Sequence, residues 1–336
     1  MCGIITIIRK DGKIAVKQVL KSYEKQKTRG CEGFGYVAID GNNFAMKVAR
    51  TESESDIRKE LKDETANIIA FHHRQPTSTP NFAEVAHPII VSNKKLKYNY
   101  YVMHNGIITD CDKLKEKHNA DGYKYTTTIR KEYITNKKTY YSEMFNDSES
   151  FAIELAKAIE SGTDKINIGG SIAFVAIQTT KGTDKRATKI FYGRNEKNPL
   201  LLDETKDFLR LASENNGKEI DEHKLFCLDL PTMETTERAC EFGDKVTATV
   251  FGYDDGYRFM ASDYDDDESS FVYESDVELE ELKIEMRELE NQLEVATARA
   301  DYAKVVELNE AIADVMDEIE VRQNRVARRD NTMLWQ

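Results

Sequence analysis

Met1-Cys2-Gly3-Ile4-Ile5-Thr6-Ile7-Ile8-Arg9 opens the chain, and the fold turns on how this stretch is read. Five consecutive β-branched residues, Ile4 to Ile8, predict a strand from Gly3 to Arg9 that needs apolar cover on both faces. Directly ahead of it stands a cysteine that becomes the first residue once the initiator Met is removed. Cys2 would then carry a thiol nucleophile together with its own amine base. An α-amino group with a pKa of about 7.7–8.0 accepts a thiol proton at neutral pH, and the thiolate is the reactive form. Taken alone, Cys2 reads as a small buried residue at the start of a strand. The segments downstream reverse that reading.

The chain has 336 residues, enough for one large domain with an appendage. Its 60 Asp and Glu outnumber 48 Lys and Arg, a net charge of -12, which argues against a non-specific nucleic-acid binder and for a soluble cytoplasmic chain. No apolar run suggests a signal peptide or a membrane span. Five cysteines (Cys2, Cys31, Cys111, Cys227, Cys240), odd in number and widely spaced, indicate neither a disulfide framework nor a zinc ribbon.

Outward from the first strand, short apolar runs predict further strands at 35–40, 67–73, 98–104, 171–178, 189–194, 208–213 and 245–253. Helical patterns fall at 14–27, 110–119 and 148–160, the last capped by Asp147 or Ser148. Sheets packed together with helices outside follow from this alternation. A polar segment rich in Tyr and Thr, 118–146, reads as a loop or surface hairpin able to act as a lid. An acidic linker covers 253–275. From 276 to 330 the composition turns to Glu, Ala, Leu, Lys and Arg, with a heptad seam at Leu282, Met286, Leu289, Leu293, Ala296 and Ala300 that breaks near Asp301 and resumes at Val305. That pattern predicts a helical hairpin or coiled coil for oligomerisation, and its second half resembles the UVR-type helical hairpin.

Polar residues interrupt the apolar runs at Thr28–Gly35, His72–Thr77, Ala86–Pro88 and His104–Ile108. Adjacent His72 and His73 on a strand point to opposite faces and no metal-ligand spacing occurs, so neither a metal nor another cofactor is expected. An acyl-transfer site around Cys2 needs oxyanion donors and an anchor for a charged substrate end. Asn105-Gly106 offers a side-chain amide and a backbone N–H, although Asn-Gly is also a turn signal. Arg74 can hold a carboxylate in a two-pronged grip or sit in a surface ion pair, and Asp147 can cap a helix or accept an ammonium.

In order, Cys2-Gly-Ile4, Arg29-Gly30 with Gly33 and Gly35, His72-x-Arg74 with Thr77, His87-Pro88, His104-Asn-Gly106 and Asp147-Ser-Glu149 resemble the class II glutamine amidotransferases. These are N-terminal nucleophile (Ntn) hydrolases, and the glutaminase halves of glucosamine-6-phosphate synthase and PRPP amidotransferase are the most similar. Gly170–Ala173, Arg194 with Pro199-Leu200, and Ala212-Ser-Glu214 resemble later strands of that domain, so the likeness covers 1–252. It implies an α+β fold, a four-layer αββα sandwich of Ntn-hydrolase type. It also implies L-glutamine hydrolysis through a Cys2 thioester, with Asn105 and Gly106 as the oxyanion hole and Arg29 orienting Cys2. Arg74 and Asp147 would take the substrate's carboxylate and ammonium, and Thr77 and His87 would complete the substrate-binding set. Gln75-Pro76, Ser78 and Glu32 depart from the sugar-phosphate branch, and the stretch between Asn105 and Asp147 is long. No synthase domain follows, so ammonia is expected to pass to a separate synthase partner. The alternative is a catalytically inactive assembly protein that keeps the fold and oligomerises through its C-terminal helices.

Overall fold

Alternate residues of the central strands point into two different cores, and that alternation builds the molecule. The computed structural model describes residues 2–76, 79, 81–135, 138–214 and 217–242, the backbone alone at 131–143, and the single positions 289, 304, 308, 311, 312 and 315. In chain order the elements are β1 (Gly3–Arg9), α1 (Val16–Gln26), β2 (Phe34–Ile39), β3 (Met46–Thr51), α2 (Glu54–Lys62), β4 (Ile68–His73), β5 (Ile89–Val91), β6 (Asn99–Ile108) and α3 (Cys111–Ala120). There follow β7 (Ile129–Thr135), β8 (Lys138–Met144), α4 (Ser148–Ser161), β9 (Lys165–Ile166), β10 (Gly170–Thr179) and β11 (Ala187–Arg194). The last are β12 (Leu201–Glu204), β13 (Phe208–Ala212), β14 (Lys218–Glu219), β15 (Lys224–Asp229), β16 (Thr235–Ala239) and β17 (Glu241–Phe242).

Seven strands form one antiparallel sheet in the order β14-β12-β13-β1-β4-β2-β3, and six form a second, β16-β15-β11-β10-β6-β5. Ile4, Ile8, Val37, Ile39, Ile68 and Ala70 of the first sheet pack on Tyr101, Met103, Ala173, Val175, Ile177 and Ile190 of the second. Their strand neighbours Ile5, Ile7, Tyr36, Ala38, Ile69 and Phe71 turn the other way, onto Val19 and Tyr23 of α1 and Ile57 and Leu61 of α2. On the far side Tyr100, Val102, Phe174, Ala176 and Phe191 meet Leu114 of α3 and Phe151 and Leu155 of α4. The period of two thus makes every central strand apolar on both faces, and each fully buried Ile is worth about 1.5–3 kcal/mol. The result is a mixed α/β arrangement with antiparallel sheets, as the strand and helix patterns predict.

Two details differ from the sequence reading and a third agrees with it. β6 runs on through Asn105-Gly106 to Ile108, where the turn signal would have stopped it. α2 was not anticipated, yet it carries its own start signal, with the Ser53 hydroxyl accepting the Asp56 N–H at 3.3 Å. Within 118–146 the chain forms β7 and β8, a separate two-stranded sheet, consistent with the hairpin reading.

The chain divides into two units, 1–131 with 142–250, and 132–141 with 251–336. The first holds both large sheets and helices α1–α4. In the second, the described positions Leu289, Lys304, Leu308, Ala311, Ile312 and Val315 are helical, and Leu308 and Val315 are buried. The expected strand at 245–253, the acidic linker and the helical hairpin itself lie outside the described residues. Among the described residues no helix is long and apolar enough to cross a membrane.

Candidate active site

β1 lies between β13 and β4, with Gly3 opposite His73 and Ile4 opposite His72. The strand period directs Cys2 to the same side as Ile4, between the sheets, and Gly3 to the helix side. A β-carbon on Gly3 would fall 2.0 Å from His73 Nε2 and 2.6 Å from Gln26 Nε2, so only glycine lets β1 approach this ring. The partly buried Cys2 has its Sγ 3.6 Å from the Gln75 carbonyl oxygen. Its own carbonyl accepts from Arg29 Nε at 2.9 Å, and Arg29 Nη1 pairs with Glu214 at 2.9 Å. Burial pushes the Cys2 thiol pKa up, while the Arg74 guanidinium pulls it down and the Asp147 carboxylate pushes it up. Those two charges, expected to bind substrate, therefore act on the nucleophile's own position.

Behind Cys2, hydrogen bonds fix the state of a histidine. His73 Nδ1 faces the Gly30 carbonyl at 2.7 Å and must donate, so Nε2 accepts from Gln26 Nε2 at 2.9 Å. Gln26 Nε2 also donates to the Ile4 carbonyl, and its Oε1 accepts the Glu214 N–H at 3.2 Å. Every group here is matched only when His73 is neutral. Burial holds its pKa near about 4 against an ordinary 6.5. His104 is likewise held near about 4 by burial, with Asp147 opposing; its Nε2 faces the Ser171 carbonyl and its Nδ1 the Ser148 hydroxyl. The unfolded chain protonates these rings below pH 6.5 and the folded chain does not. The share of the stability set by these two rings should therefore be unchanged above 6.5, fall as the pH drops, and level off below about 4, with His73 alone costing about 3 kcal/mol at the limit. Carboxylates with depressed pKa values, such as Glu154 at about 2, weaken the fold only below their ordinary 4.5, so pH 5–6.5 isolates the histidines. Urea denaturation at about pH 7 and about pH 5 checks this, and His73→Gln should flatten the fall.

Arg74 lies just past the end of β4. Its N–H donates to the Gly33 carbonyl at 2.8 Å, and Nη2 donates to the Thr79 carbonyl at 3.0 Å and to the Thr79 hydroxyl. Asp147 does not cap α4 through its side chain; it has helical dihedrals, and its Oδ2 accepts the Ile108 N–H of β6 at 2.7 Å. The capping contact comes from Asn146, whose Oδ1 accepts the Ser148 N–H at 3.0 Å. His87 is buried with its ring centroid 4.0 Å from that of His72, and among the described residues neither nitrogen of the His87 ring has a hydrogen-bond partner. Thr77 lies outside the described residues.

Asn105 is buried on β6, on the same inter-sheet side as Tyr101 and Met103. Its Nδ2 donates to Ser213 Oγ at 3.3 Å and its carbonyl accepts from Asn198 Nδ2 at 2.9 Å. Gly106 stands opposite Ile172 of β10, and Asn195 engages both backbone groups of Ile172 at 2.9 Å. Gly106 is thus a non-hydrogen-bonded position of this ladder, and its N–H faces the other edge of β6. β5 pairs with that edge at Tyr100–Val102 and does not reach Gly106. Cys2, Arg29, Arg74, Asn105, Gly106 and Asp147 therefore gather at one end of the two sheets, with His87 beneath them beside His72. Sequence reasoning missed the supporting residues Gln26 and Asn198, and weighed His73 only as a metal ligand. Ser213 stood within a segment it had marked, but with no role. Among the described residues no cluster of three or more His, Cys, Asp or Glu is placed to hold a metal ion.

A thiol heading a central strand, beside strand-borne amide donors and a buried Arg and Asp, defines a candidate amide-hydrolysing site. No family model matches the chain. The glutamine–fructose-6-phosphate aminotransferase (isomerizing) of Sulfurisphaera tokodaii is 24% identical over 204 residues, 60% of this chain and 31% of that protein. Its counterpart of the same name in Bacteroides thetaiotaomicron is 26% identical over 217 residues, 64% of this chain and 32% of that protein. The match thus spans about a third of the length of these curated relatives. Among solved structures, the allosteric regulatory enzyme of purine biosynthesis superposes with a TM-score of 0.50 at 16% identity, over 71% of this chain and 49% of that one, a likeness of fold alone. The sequence comparisons thus liken the greater part of this chain to about a third of the glutamine–fructose-6-phosphate aminotransferases, and the superposition likens its fold.

Proposed function

We propose that residues 1–252 form a glutaminase domain in a four-layer αββα sandwich of Ntn-hydrolase type, hydrolysing L-glutamine to glutamate and ammonia. The observation that carries this reading is the meeting of Cys2, Arg74 and Asp147, whose charges act on one another, beside Asn105 and Gly106. Glutamine presents one carboxylate, one ammonium and one amide, and the site brings the Arg74 cation, the Asp147 anion and a nucleophile together.

In this mechanism the amine freed by loss of Met1 takes the Cys2 thiol proton as sulfur attacks the side-chain carbonyl carbon. The carbonyl oxygen becomes an oxyanion held by Asn105 Nδ2–H and the Gly106 N–H. The ammonium formed on Cys2 returns its proton to the departing nitrogen, ammonia leaves, and a γ-glutamyl thioester remains. Water attacks the thioester, the amine takes a proton from it, and glutamate departs as the thiol is restored. Arg29 holds Cys2 through its carbonyl, Arg74 binds the α-carboxylate, and Asp147 binds the α-ammonium, with Thr77 and His87 at the pocket. Ammonia passes to a separate synthase partner in the cytoplasm, docked through the segment 276–330 or through loops of the glutaminase domain.

The test pairs intact mass with turnover. Protein shown by mass to lack Met1 should release ammonia from L-glutamine and turn over N-acetyl-L-glutamine about 10²-fold or more slowly, because the Asp147 carboxylate would face no cation. A Met1-free, folded chain that releases no ammonia would sink the enzyme reading and leave the inactive assembly protein.

A further inference from the structure

The strand that carries the nucleophile and the strand that carries the oxyanion donors belong to different sheets. Their relative placement has to be fixed by something that touches both. Ser213, the residue after β13, is fully buried and does so. Its Oγ accepts the Ile4 N–H at 3.0 Å and receives Asn105 Nδ2 at 3.3 Å, and its own N–H donates to the Ile4 carbonyl at 3.1 Å. A single hydroxyl thus joins β1, two residues past Cys2, to the side-chain amide of β6.

From this geometry we infer that Ser213 is a positioning residue for glutamine hydrolysis, setting the Asn105 amide relative to the Cys2 sulfur. The inference rests on the glutaminase reading above. A backbone N–H is a donor without ambiguity, so Ile4 fixes Oγ as an acceptor on that side. Its remaining lone pair takes one Asn105 Nδ2–H, and the second Nδ2–H stays available for the oxyanion. Asn198 holds the carbonyl of the same residue, so Asn105 is fixed through its backbone from one side and through its side chain from another.

An oxyanion exists only after the thiol attacks, so loosening its donor weakens the transition state and leaves substrate binding alone. Ser213→Ala should lower kcat about 10- to 100-fold, below or level with the effect of losing one oxyanion donor outright, with KM for L-glutamine changed by less than about 3-fold. Because Ser213 acts through Asn105, Ser213→Ala in an Asn105→Ala background should cost no further activity. Ser213→Cys, which keeps the size but weakens the acceptor, should show the same kcat-only defect and serves if the Ala variant does not fold.

All variants are assayed on folded, monodisperse, Met1-free protein beside the unchanged chain. A kcat within about 2-fold of the unchanged chain, a defect in KM alone, or losses that multiply in the double variant would overturn the inference with the glutaminase reading intact. Failure of the unchanged chain to hydrolyse glutamine removes that reading and this inference with it.

Discussion

Replacing Cys2 by Ala is expected to remove ammonia release from L-glutamine, by on the order of 10⁴-fold or more, while the fold persists. The fold persists because β1 is held by its apolar residues and by Arg29, which bonds the Cys2 carbonyl and not its side chain. Activity goes because no other thiol can stand in. Cys31 is exposed, Cys240 is buried, and burial raises the pKa of Cys111 to about 11 and lifts that of Cys227. Burial also raises the thiol of Cys2 itself, so at rest it is protonated, its Sγ against the Gln75 carbonyl. In the proposed mechanism it depends on a base at the instant of attack, and the α-amine is that base only when Met1 is gone. Two further outcomes follow. Chain that retains Met1 should be as inactive as Cys2→Ala, and an electrophilic glutamine analogue should add one equivalent to the Met1-free chain and none to either inactive form. Activity surviving in Cys2→Ala would move the nucleophile elsewhere and end the proposed mechanism.

The parts of this fold that sequence made legible are those where the physics is local. Ile4 to Ile8 is a strand by β-branching alone, and the apolar runs at β4, β6 and β10 are long enough to need two covered faces. β3 and β16 escaped notice because they are half-buried or largely exposed edge strands, and their sequences, Met-Lys-Val-Ala-Arg-Thr and Thr-Thr-Glu-Arg-Ala, follow no buried run. α2 was missed although Ser53 and Asp56 spell its start, since only Ile57 and Leu61 on it are buried. In the site, residues carrying reactive or charged groups stood out, because Cys2, Arg74, Asn105 and Asp147 are polar types set among apolar runs. Ser213, Asn198 and Gln26 did not, because their value lies in which distant backbone group they reach, 209, 93 and 22 residues away along the chain. Asp147 shows the same limit from the other side. Its place ahead of a helix suggested a cap, but a partner on β6 takes its carboxylate, and Asn146 takes over the capping contact.

Gly106→Ala should be the most damaging single-methyl change at the site. Asn-Gly reads as a turn, and the structure instead needs this glycine inside a strand, at φ +152°, a conformation that L side chains rarely adopt. A β-carbon there would lie 1.8 Å from the Ser171 carbonyl oxygen, 2.6 Å from its carbon and 2.8 Å from His104 Nε2. The first two are backbone atoms of the neighbouring strand, so relief would require β6 and β10 to part or Gly106 to rotate. Rotation turns the N–H away from the oxyanion, and separation strips pairs on either side, Asn105 with Ala173 and Ile107 with Ser171. Strain of this kind alone costs on the order of 1–3 kcal/mol, and the clash adds to it, so a loss above about 3 kcal/mol is expected. Gly122→Ala supplies the control, since Gly122 also has positive φ, +80°, but nothing lies within 4 Å of its β-carbon. It should cost about 1 kcal/mol by backbone strain alone. Urea denaturation separates the two substitutions, and any Gly106→Ala protein that folds should hydrolyse glutamine at least about 10²-fold more slowly, while Gly122→Ala keeps full activity. Equal stability losses for the two variants would mean that Ser171 yields freely. The tight β6–β10 approach that aims the Gly106 N–H would then not be what fixes the oxyanion site.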